Sequence, residues 1–391
     1  MKKIIMISLG FTLISYGMSY KKFKQYTLAH AKVLKSQSLS LQTRKEKNDI
    51  LLRSRNPSIN IETSRFNIGR NNYNFGYSTI VSQSIRTSNF YNGQKDLTKS
   101  MSLLEEAYVI DGKAGYIKTL EKIYTEYVYQ SKLLALLKKE YKLSNKVTKI
   151  VQERYENGSE NKVAYLQAKT NTISLKTQMY STKQAMSSSY YQLLAIAGLK
   201  KKVSLSQKFI YPVSTKITSS KNLNPKQKVL DAKLKVLESK VFMNDSSIER
   251  FELYGGIEDE STQSILRVGV NISLPIFNNK SEEKRLTNLK KQQLSLDREQ
   301  LSIDTHTKNM MLKYSIGELR EQYYALKALK KEQETLNRLL QDGYKISQGS
   351  MFIMMNSQNR LIQTQKSLLQ TQKMINNQKI ELRFIQGQYN D

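Results

Sequence analysis

The segment from Ile265 to Phe277 constrains the fold of this chain more than any other. Apolar residues occupy every second position, and polar or small residues stand between them. The apolar positions are Leu266, Val268, Val270, Ile272 and Leu274. Successive side chains of a β-strand point to opposite faces, so this segment predicts a strand with one fully apolar face. Such a strand is typical of a transmembrane barrel, with lipid on one side and a water-filled lumen on the other.

Long helical segments accompany the predicted strands. Proline is costly inside a helix, and the stretches 94–198 and 278–390 contain none. At about 1.5 Å per residue, the roughly 60 helix-forming residues from Gln94 to Glu156 would span about 90 Å. A helix of that length is suited to crossing a wide aqueous compartment.

The chain reads as two copies of one unit, because a shift of 189 residues aligns Val147 with Leu336 and Tyr155 with Tyr344. Each copy is predicted to contain a strand pair followed by two long helices. The predicted segments are a first repeat at 20–205, with its strand pair at 58–85 and long helices at 94–198, and a second repeat at 206–391, with a linker and helix at 206–249, a strand pair at 250–275 and long helices at 278–390.

Residues 1–19 are predicted to be a cleaved secretory signal peptide. Two lysines precede an apolar run from Ile4 to Tyr16. Gly17 and Ser19 then supply small residues at positions −3 and −1 for cleavage after Ser19. A retained membrane anchor is the alternative, but the apolar run is short for a transmembrane helix of about 20 residues.

The composition argues against an enzyme and against a nucleic-acid partner. The chain has no cysteine and only two histidines, His30 and His306, so catalytic triads and histidine metal sites are difficult to build. We therefore predict no catalytic residue, cofactor or metal ligand. The net charge of +30 falls to +28 without the two signal-peptide lysines. Export excludes nucleic acid, and the lysines are interpreted as solvated helix faces or, alternatively, as attracted to anionic lipid headgroups.

Four strands cannot close a membrane barrel by themselves. Exposed strand edges are not tolerated in lipid, and small transmembrane barrels begin at about eight strands. Three copies of four strands would give twelve. The sequence therefore predicts a homotrimer that completes a 12-stranded barrel.

Four short motifs occur in a fixed order along the mature chain. They are YENG at 155–158, YLQA at 165–168, AIAGL at 195–199 and SLPIFN at 273–278. In this order, in a duplicated chain behind a signal peptide, they resemble the TolC family of outer-membrane efflux proteins. Arg55-Asn56-Pro57 and the segment 275–281 resemble more closely its heavy-metal-efflux (CzcC/CusC-like) branch. The lipid-attachment cysteine of some CusC-like members is missing here.

The resemblance implies a mainly α-helical chain with a transmembrane β part. A 12-stranded outer-membrane barrel would continue into a long α-helical tunnel in the periplasm. The implied partners are outer-membrane lipid, a periplasmic membrane-fusion adaptor and an inner-membrane pump of the RND type. Such a protein is a passive duct for heavy-metal ions or drugs. The alternatives are a duct for type I polypeptide secretion and a periplasmic coiled-coil scaffold or adaptor without its own pore.

By position, the resemblance places the adaptor-contact tips at the turns between the long helices. In the family these turns form the periplasmic end of the tunnel. The implied contact residues are Tyr155, Gly158, Leu166, Ala168, Tyr344, Ser347, Gly349, Met355 and Ser357. Ordinary packing of a helix hairpin is the alternative for any single one of them. Ser347 stands where the family has glycine, although Gly349 is close by.

The tunnel constriction of many relatives is lined by acidic residues, whereas Ile353 and Asn356 occupy the matching positions here. An apolar or amide-lined constriction is therefore expected in place of a cation-attracting ring. The methionines of the run Met351–Met355 could bind a soft metal, but adaptable apolar packing is the simpler interpretation. The acidic run Glu258–Glu260 could bind a cation in an external loop, but a solvated turn is the simpler interpretation.

Overall fold

The structure is a computed structural model that describes residues 17–67, 73–215, 222–246, 248–260, 263–277, 279–345 and 350–390. Within these residues the chain is mainly helical, with four strands, as the sequence predicted. The elements are α1 (Tyr20–His30), α2 (Lys32–Leu52), β1 (Ser58–Asn67), β2 (Tyr73–Arg86), α3 (Ser88–Glu156), α4 (Lys162–Ile196), α5 (Pro225–Asn244), β3 (Arg250–Glu260), β4 (Gln263–Ile272), α6 (Ser281–Lys345) and α7 (Met351–Ile385). None of the described helices is long and apolar enough to cross a membrane.

Local sequence signals explain where several helices begin. The side-chain oxygen of Ser19 accepts a hydrogen bond from the Lys22 amide at the start of α1. Asn161 caps α4 in the same way, and Asn224 caps α5 with Pro225 directly after it. These side chains satisfy amide groups that have no partner inside the helix, and proline fits the first turn because its missing N–H is not needed there.

The strands form one antiparallel sheet in the order β1-β2-β3-β4. Val81 of β2 pairs with Ile59 of β1 on one side and with Gly255 of β3 on the other. Gly255 in turn pairs with Val268 of β4. The sheet therefore joins the strand pairs of the two halves of the sequence.

Two details differ from the sequence-based expectations for the second strand pair. The acidic run Glu258–Glu260 belongs to β3 and is not a turn, and Glu258 forms an ion pair with Arg267 of β4. Opposite charges on neighbouring strands stabilise the extended pairing. The strand β4 ends at Ile272, so Leu274 follows the strand.

The described chain packs as two compact units. The first comprises the described residues of 1–35, 113–222 and 307–391, and the second comprises those of 36–112 and 223–306. Each unit combines segments from both halves of the sequence. The division into repeats at 20–205 and 206–391 therefore stays a prediction about internal similarity, and the compact units do not follow it. Of the predicted signal peptide only 17–19 is described, and the Met18 amide donates to the Ser204 carbonyl at 2.7 Å.

The core of the first unit is built around aromatic side chains. Phe23, Leu120 and Tyr124 are fully buried, and the rings of Tyr20 and Tyr124 lie 4.8 Å apart. The Tyr124 hydroxyl donates to the Ser206 carbonyl at 2.5 Å. Burial raises the pKa of Tyr124 to about 12, so the hydroxyl remains protonated and able to donate at neutral pH.

A buried carboxylate lies beside this core. The Glu121 side chain is 2% exposed and receives hydrogen bonds from Tyr20 (3.0 Å), Tyr211 (2.7 Å) and Tyr389 (2.5 Å). Lys24 Nζ lies 3.2 Å from the same carboxylate. Burial, and then the Glu121 charge, raise the pKa of both Tyr20 and Tyr389. We call these five residues the Glu121 cluster. It ties α1, α3, the segment after α4 and the C-terminal residues together.

Two further charged groups lie on α7, and one of them, Glu381, is only partly buried, with 14% of its side chain exposed. The Glu381 carboxylate is within 3.1 Å of the ammonium groups of Lys118, Lys122 and Lys308. Burial alone would raise the pKa of Glu381, but the lysine hydrogen bonds outweigh it and lower the pKa to about 2. Lys379 is fully buried and donates three hydrogen bonds to the carbonyl oxygens of Pro212, Val213 and Thr215.

Candidate functional site

The first candidate site is the apolar face of the sheet. Residues directly opposite each other in an antiparallel sheet lie on the same face, and one face collects most of the apolar side chains of all four strands. Four cross-strand rows on this face, from the registers, are Ile59-Val81-Gly255-Val268, Ile61-Thr79-Ile257-Leu266, Gln83-Leu253-Val270 and Ile85-Phe251-Ile272. A further row on the same face, Thr63-Tyr77-Asp259-Ser264, is more polar. The apolar face predicted for β4 therefore continues onto the other strands over the first four rows.

This apolar face is exposed within the chain. Leu266 and Val268 have 76% and 79% of their surface accessible, and Val270, Ile272 and Leu274 are also exposed. On the two neighbouring strands and on β1 the exposed residues include Ile59, Ile61, Phe75, Tyr77, Val81, Leu253 and Ile257. A contiguous apolar surface of this kind marks a region that another protein or a membrane covers.

The opposite face of the sheet is polar and internally hydrogen-bonded. Ser58 and Ser82 share a hydrogen bond of 2.8 Å, and Ser82 donates to Glu252 at 2.6 Å. Glu258 and Arg267 form their ion pair on this same face. The sheet is therefore apolar on one side and polar on the other, which suits a boundary between lipid and water.

Both edges of the sheet are open. In the described residues β1 pairs only with β2, and β4 pairs only with β3. The outer N–H and C=O groups of these two ten-residue strands offer a template for another strand. Since consecutive strands alternate in direction, β1 and β4 run in opposite directions. A copy of β4 could thus continue the antiparallel order beside β1.

The second candidate site is the turn between α3 and α4, together with the start of α7. Gly158 adopts a φ of +73°, which favours glycine, and the Ser159 amide donates to the Arg154 carbonyl at 2.8 Å. This backbone pattern ends α3, and Asn161 starts α4 three residues later. The hairpin is therefore set by local sequence.

A packed apolar cluster lies behind this turn, and we call it the tip cluster. Its buried members are Val151, Ala164, Ala168, Tyr344, Met351, Met354 and Met355. The guanidinium of Arg154 lies over the Tyr344 ring at 4.3 Å and donates to the Tyr344 carbonyl at 3.0 Å. Burial raises the pKa of Tyr344. The three methionines fill the cluster, which is the packing role expected from the sequence.

The residues predicted for the tips separate into a buried set and an exposed set. Ala168, Tyr344, Met355 and Ser357 are buried within the chain. Tyr155 and Leu166 are exposed, and Tyr155 stacks on Tyr165 with ring centroids 5.7 Å apart. Gly158 is also exposed, as are the predicted constriction residues Ile353 and Asn356. Ser347 and Gly349 lie outside the described residues.

The exposed part of the tips includes a groove between α4 and α7, which we call the tip groove. It encloses about 560 Å³ and is lined by apolar and amide side chains, among them Leu166, Phe352 and Asn356. Val163 and Phe352, at 64% and 59% exposure, are prominent lining residues that the sequence did not single out. Each stands three residues before a predicted tip residue, Leu166 or Met355. A helix places such positions on one face, and that spacing could have identified them.

The described residues contain no group of three or more His, Asp or Glu side chains arranged to hold a metal ion. The polar groups buried near the tips are engaged with each other instead. Ser144 and Thr172 share a hydrogen bond of 2.7 Å, and Thr148 approaches Thr172 at 2.8 Å. These contacts join α3 to α4. They have the character of helix packing.

No protein-family model matches the chain. No curated protein matches it either. Solved structures do match. The outer-membrane channel OprN superposes with a TM-score of 0.81 at 12% sequence identity, over 95% of this chain and 90% of that chain. CusC, described for its transmembrane channel formation, gives a TM-score of 0.78 at 15% identity, over 97% and 95%.

The outer membrane protein VceC of Vibrio cholerae gives a TM-score of 0.78 at 12% identity, covering 94% of this chain and 95% of that chain. The chain therefore has the fold of outer-membrane channel proteins. The mainly helical chain with one four-stranded sheet, as the resemblance to the TolC family implies for a single chain, is confirmed over nearly the whole length of the chain and of these structural neighbours.

Proposed function

We propose that this protein is the outer-membrane channel of a tripartite efflux system. In this role it is a passive trimeric duct, with its sheet in the outer membrane and its helical part in the periplasm. The observation that carries the proposal is the four-stranded sheet with an exposed apolar face and two open edges. The fold shared with OprN, CusC and VceC supports it.

The trimer follows from strand counting and strand direction. An open sheet edge is not stable in lipid, so the four strands need further strands. Three copies supply twelve strands, and an even number lets β4 of each copy meet β1 of the next in antiparallel order. The apolar face then meets lipid, and the polar face that carries Glu258 and Arg267 lines the lumen.

We assign adaptor docking to the exposed residues of the tips. The exposed side chains of Tyr155, Leu166, Val163 and Phe352 offer apolar surface, and the amides of Gln167 and Asn359 in the tip groove offer hydrogen bonds. The buried tip residues would support that surface by packing beneath it. They are Ala168, Tyr344, Met355 and Ser357. Ile353 and Asn356 form the narrow part of the duct. The adaptor would connect the duct to an inner-membrane pump of the RND type, which supplies the energy.

The trimer is tested by cross-linking, for which the cysteine-free chain is well suited. Asn60→Cys on β1 and Asn271→Cys on β4 place two thiols on the polar face at the two open edges. A short bis-maleimide should join three chains covalently in outer-membrane preparations. The control is Ser82→Cys with Tyr254→Cys, which are register partners inside one chain. The reagent should link these two thiols within the chain and leave the product at the size of a single chain. A product that stops at the dimer would contradict the closed trimer.

Transport is tested by conductance and by drug and metal sensitivity. The purified trimer should form stable aqueous pores in planar bilayers. A periplasmic scaffold without a pore, the structural alternative, would fractionate with soluble periplasmic proteins and give no conductance. Export of metals is expected to leave a deletion strain sensitive to zinc, nickel, cadmium or copper, and export of drugs to leave it sensitive to lipophilic drugs and bile salts. Pores without either sensitivity would favour type I polypeptide secretion.

A further inference from the structure

Three arginines meet at a cavity near the ends of β2 and β3, in the second compact unit. The cavity encloses about 480 Å³, and Arg55, Arg86 and Arg250 are among its lining residues. Arg86 and Arg250 are direct register partners across β2 and β3. Like charges directly opposite each other in a sheet are destabilising. The described lining residues include no carboxylate that would neutralise them.

The guanidinium groups of Arg86 and Arg250 differ in how many of their N–H donors find an acceptor within the chain. Arg86 donates to the Leu52 carbonyl at 3.2 Å, to Gln94 at 2.8 Å and also to the Arg53 carbonyl, so it closes the end of α2. Arg250 is the contrast, because its Nε and Nη1 atoms are buried and have no hydrogen-bond acceptor in the described residues. Two buried donors of a charged group without an acceptor are costly.

The carboxylate next to Arg250 in the sequence, that of Glu249, forms an ion pair with Lys280. Glu249 precedes Arg250, and its carboxylate lies 2.5 Å from Lys280 Nζ. The Phe90 ring lies 5.9 Å from the Arg250 guanidinium and offers only a weak cation–π contact. The cavity thus keeps a positive charge and open donors, which is the arrangement that binds an anion.

We propose that this cavity binds a phosphate group, carried by a lipid headgroup or free in solution. Arginine is the preferred partner of phosphate, because its planar donors match the phosphate oxygens and it stays charged. Three guanidinium groups balance a doubly charged phosphate monoester better than a singly charged carboxylate. Tyr91 and Ser88 add hydroxyl groups to the lining. The volume lies in the range of small-molecule sites, so it can hold a phosphate together with attached glycerol or sugar.

The test uses the purified full-length protein in detergent, and two probes. Binding of inorganic phosphate is measured by calorimetry, and binding of dioctanoyl phosphatidic acid by native mass spectrometry, with dioctanoyl phosphatidylcholine as the zwitterionic comparison. Arg250→Gln and Arg55→Gln should each weaken binding at least about tenfold, as expected for losing charge-assisted hydrogen bonds. Arg55 lies outside the helices and strands, so this variant keeps the test valid if Arg250→Gln impairs folding.

The matched control is Arg53→Gln, which removes the same charge two residues from Arg55. The Arg53 side chain does not line the cavity, and only its carbonyl takes part, by accepting from Arg86. Its affinity should stay within about twofold of the wild type. A preference for phosphatidic acid over inorganic phosphate identifies a lipid as the source, and equal binding identifies free phosphate.

Two results would overturn the proposal. The first is a failure of phosphate binding: neither phosphate probe binds the wild type, or the Arg250→Gln and Arg55→Gln variants bind the probes as tightly as the Arg53→Gln variant does. The second is that Arg250→Gln changes the oligomeric state while phosphate has no effect, because the cavity would then be filled by a second copy of the chain. The measurement needs no pore and no export, so its failure is distinguishable from failure of the proposed function.

Discussion

The sheet and the Glu121 cluster place polar and apolar groups in opposite ways. The sheet exposes rows of aliphatic side chains, whereas the Glu121 cluster buries a carboxylate, an ammonium and three hydroxyls around one point. The cluster is satisfied within one chain. The sheet is not, because in the described residues its apolar face is exposed and each of its two edge strands pairs with a single neighbour. The proposed trimer in a membrane would cover that face and pair those edges.

The largest effect is expected from removing the Glu121 carboxylate. Glu121→Ala leaves the hydroxyls of Tyr20, Tyr211 and Tyr389 and the ammonium of Lys24 without their common partner. Breaking a buried charged network in this way costs about 3–5 kcal/mol. Chemical denaturation of the detergent-solubilised protein measures the free energy of unfolding. The exposed Glu318 provides the control, since Glu318→Ala should change it by less than about 0.5 kcal/mol. Equal losses of unfolding free energy in Glu121→Ala and Glu318→Ala would contradict a stabilising role of the Glu121 cluster.

A charge introduced on the apolar face of the sheet tests whether that face meets lipid. Val268→Lys should destabilise the membrane-inserted sheet by about 2–4 kcal/mol, the cost of a lysine facing lipid near the bilayer centre. The measurement is the fraction of protein recovered as trimer in outer-membrane extracts. Asn271→Lys, on the polar face of the same strand, should assemble normally. Equal losses for the two variants would contradict a lipid-facing apolar side.

Acid should weaken the contribution of Glu381, a partly buried carboxylate of the first unit. Its pKa is lowered from 4.5 to about 2 in the folded protein, so its stabilising contribution is present above about pH 4.5 and is lost as the pH falls towards 2. The free energy of unfolding of wild type should exceed that of Glu381→Gln by about 2–3 kcal/mol at pH 6. The difference should shrink steadily below pH 4.5. A difference that does not depend on pH would rule out a titrating ion-pair role.

The smallest effect is expected from single hydroxyls of the Glu121 cluster. Tyr389→Phe removes one hydrogen bond to a buried charge, and three partners of the carboxylate remain. The expected loss is about 1.5 kcal/mol of unfolding free energy. Tyr314, which is 74% exposed, serves as the matched control, and Tyr314→Phe should be neutral. A loss as large as that of Glu121→Ala would mean that the cluster depends on Tyr389 alone.

The sheet was the more predictable of the two regions. The alternation at 265–274 indicated which side chains share a face, and the absence of proline in 94–198 and 278–390 indicated long helices. Both signals are local, since side-chain direction along a strand or helix repeats over a few residues. The tips were only partly predictable. Leu166 and Tyr155 are exposed there, but Ala168 and Tyr344 are buried, and helical spacing alone does not say which face packs inward.

By itself, the sequence determined the mainly helical character of the chain, the four strands and the apolar side of β4. The tertiary structure alone decided the Glu121 cluster, whose members Glu121 and Tyr389 are 268 positions apart, and the meeting of Arg55, Arg86 and Arg250 at one cavity. The physical reason is the separation along the sequence over which each kind of interaction acts. Backbone geometry fixes periodic patterns over a few residues, whereas contacts between distant residues exist only after the helices and strands have packed.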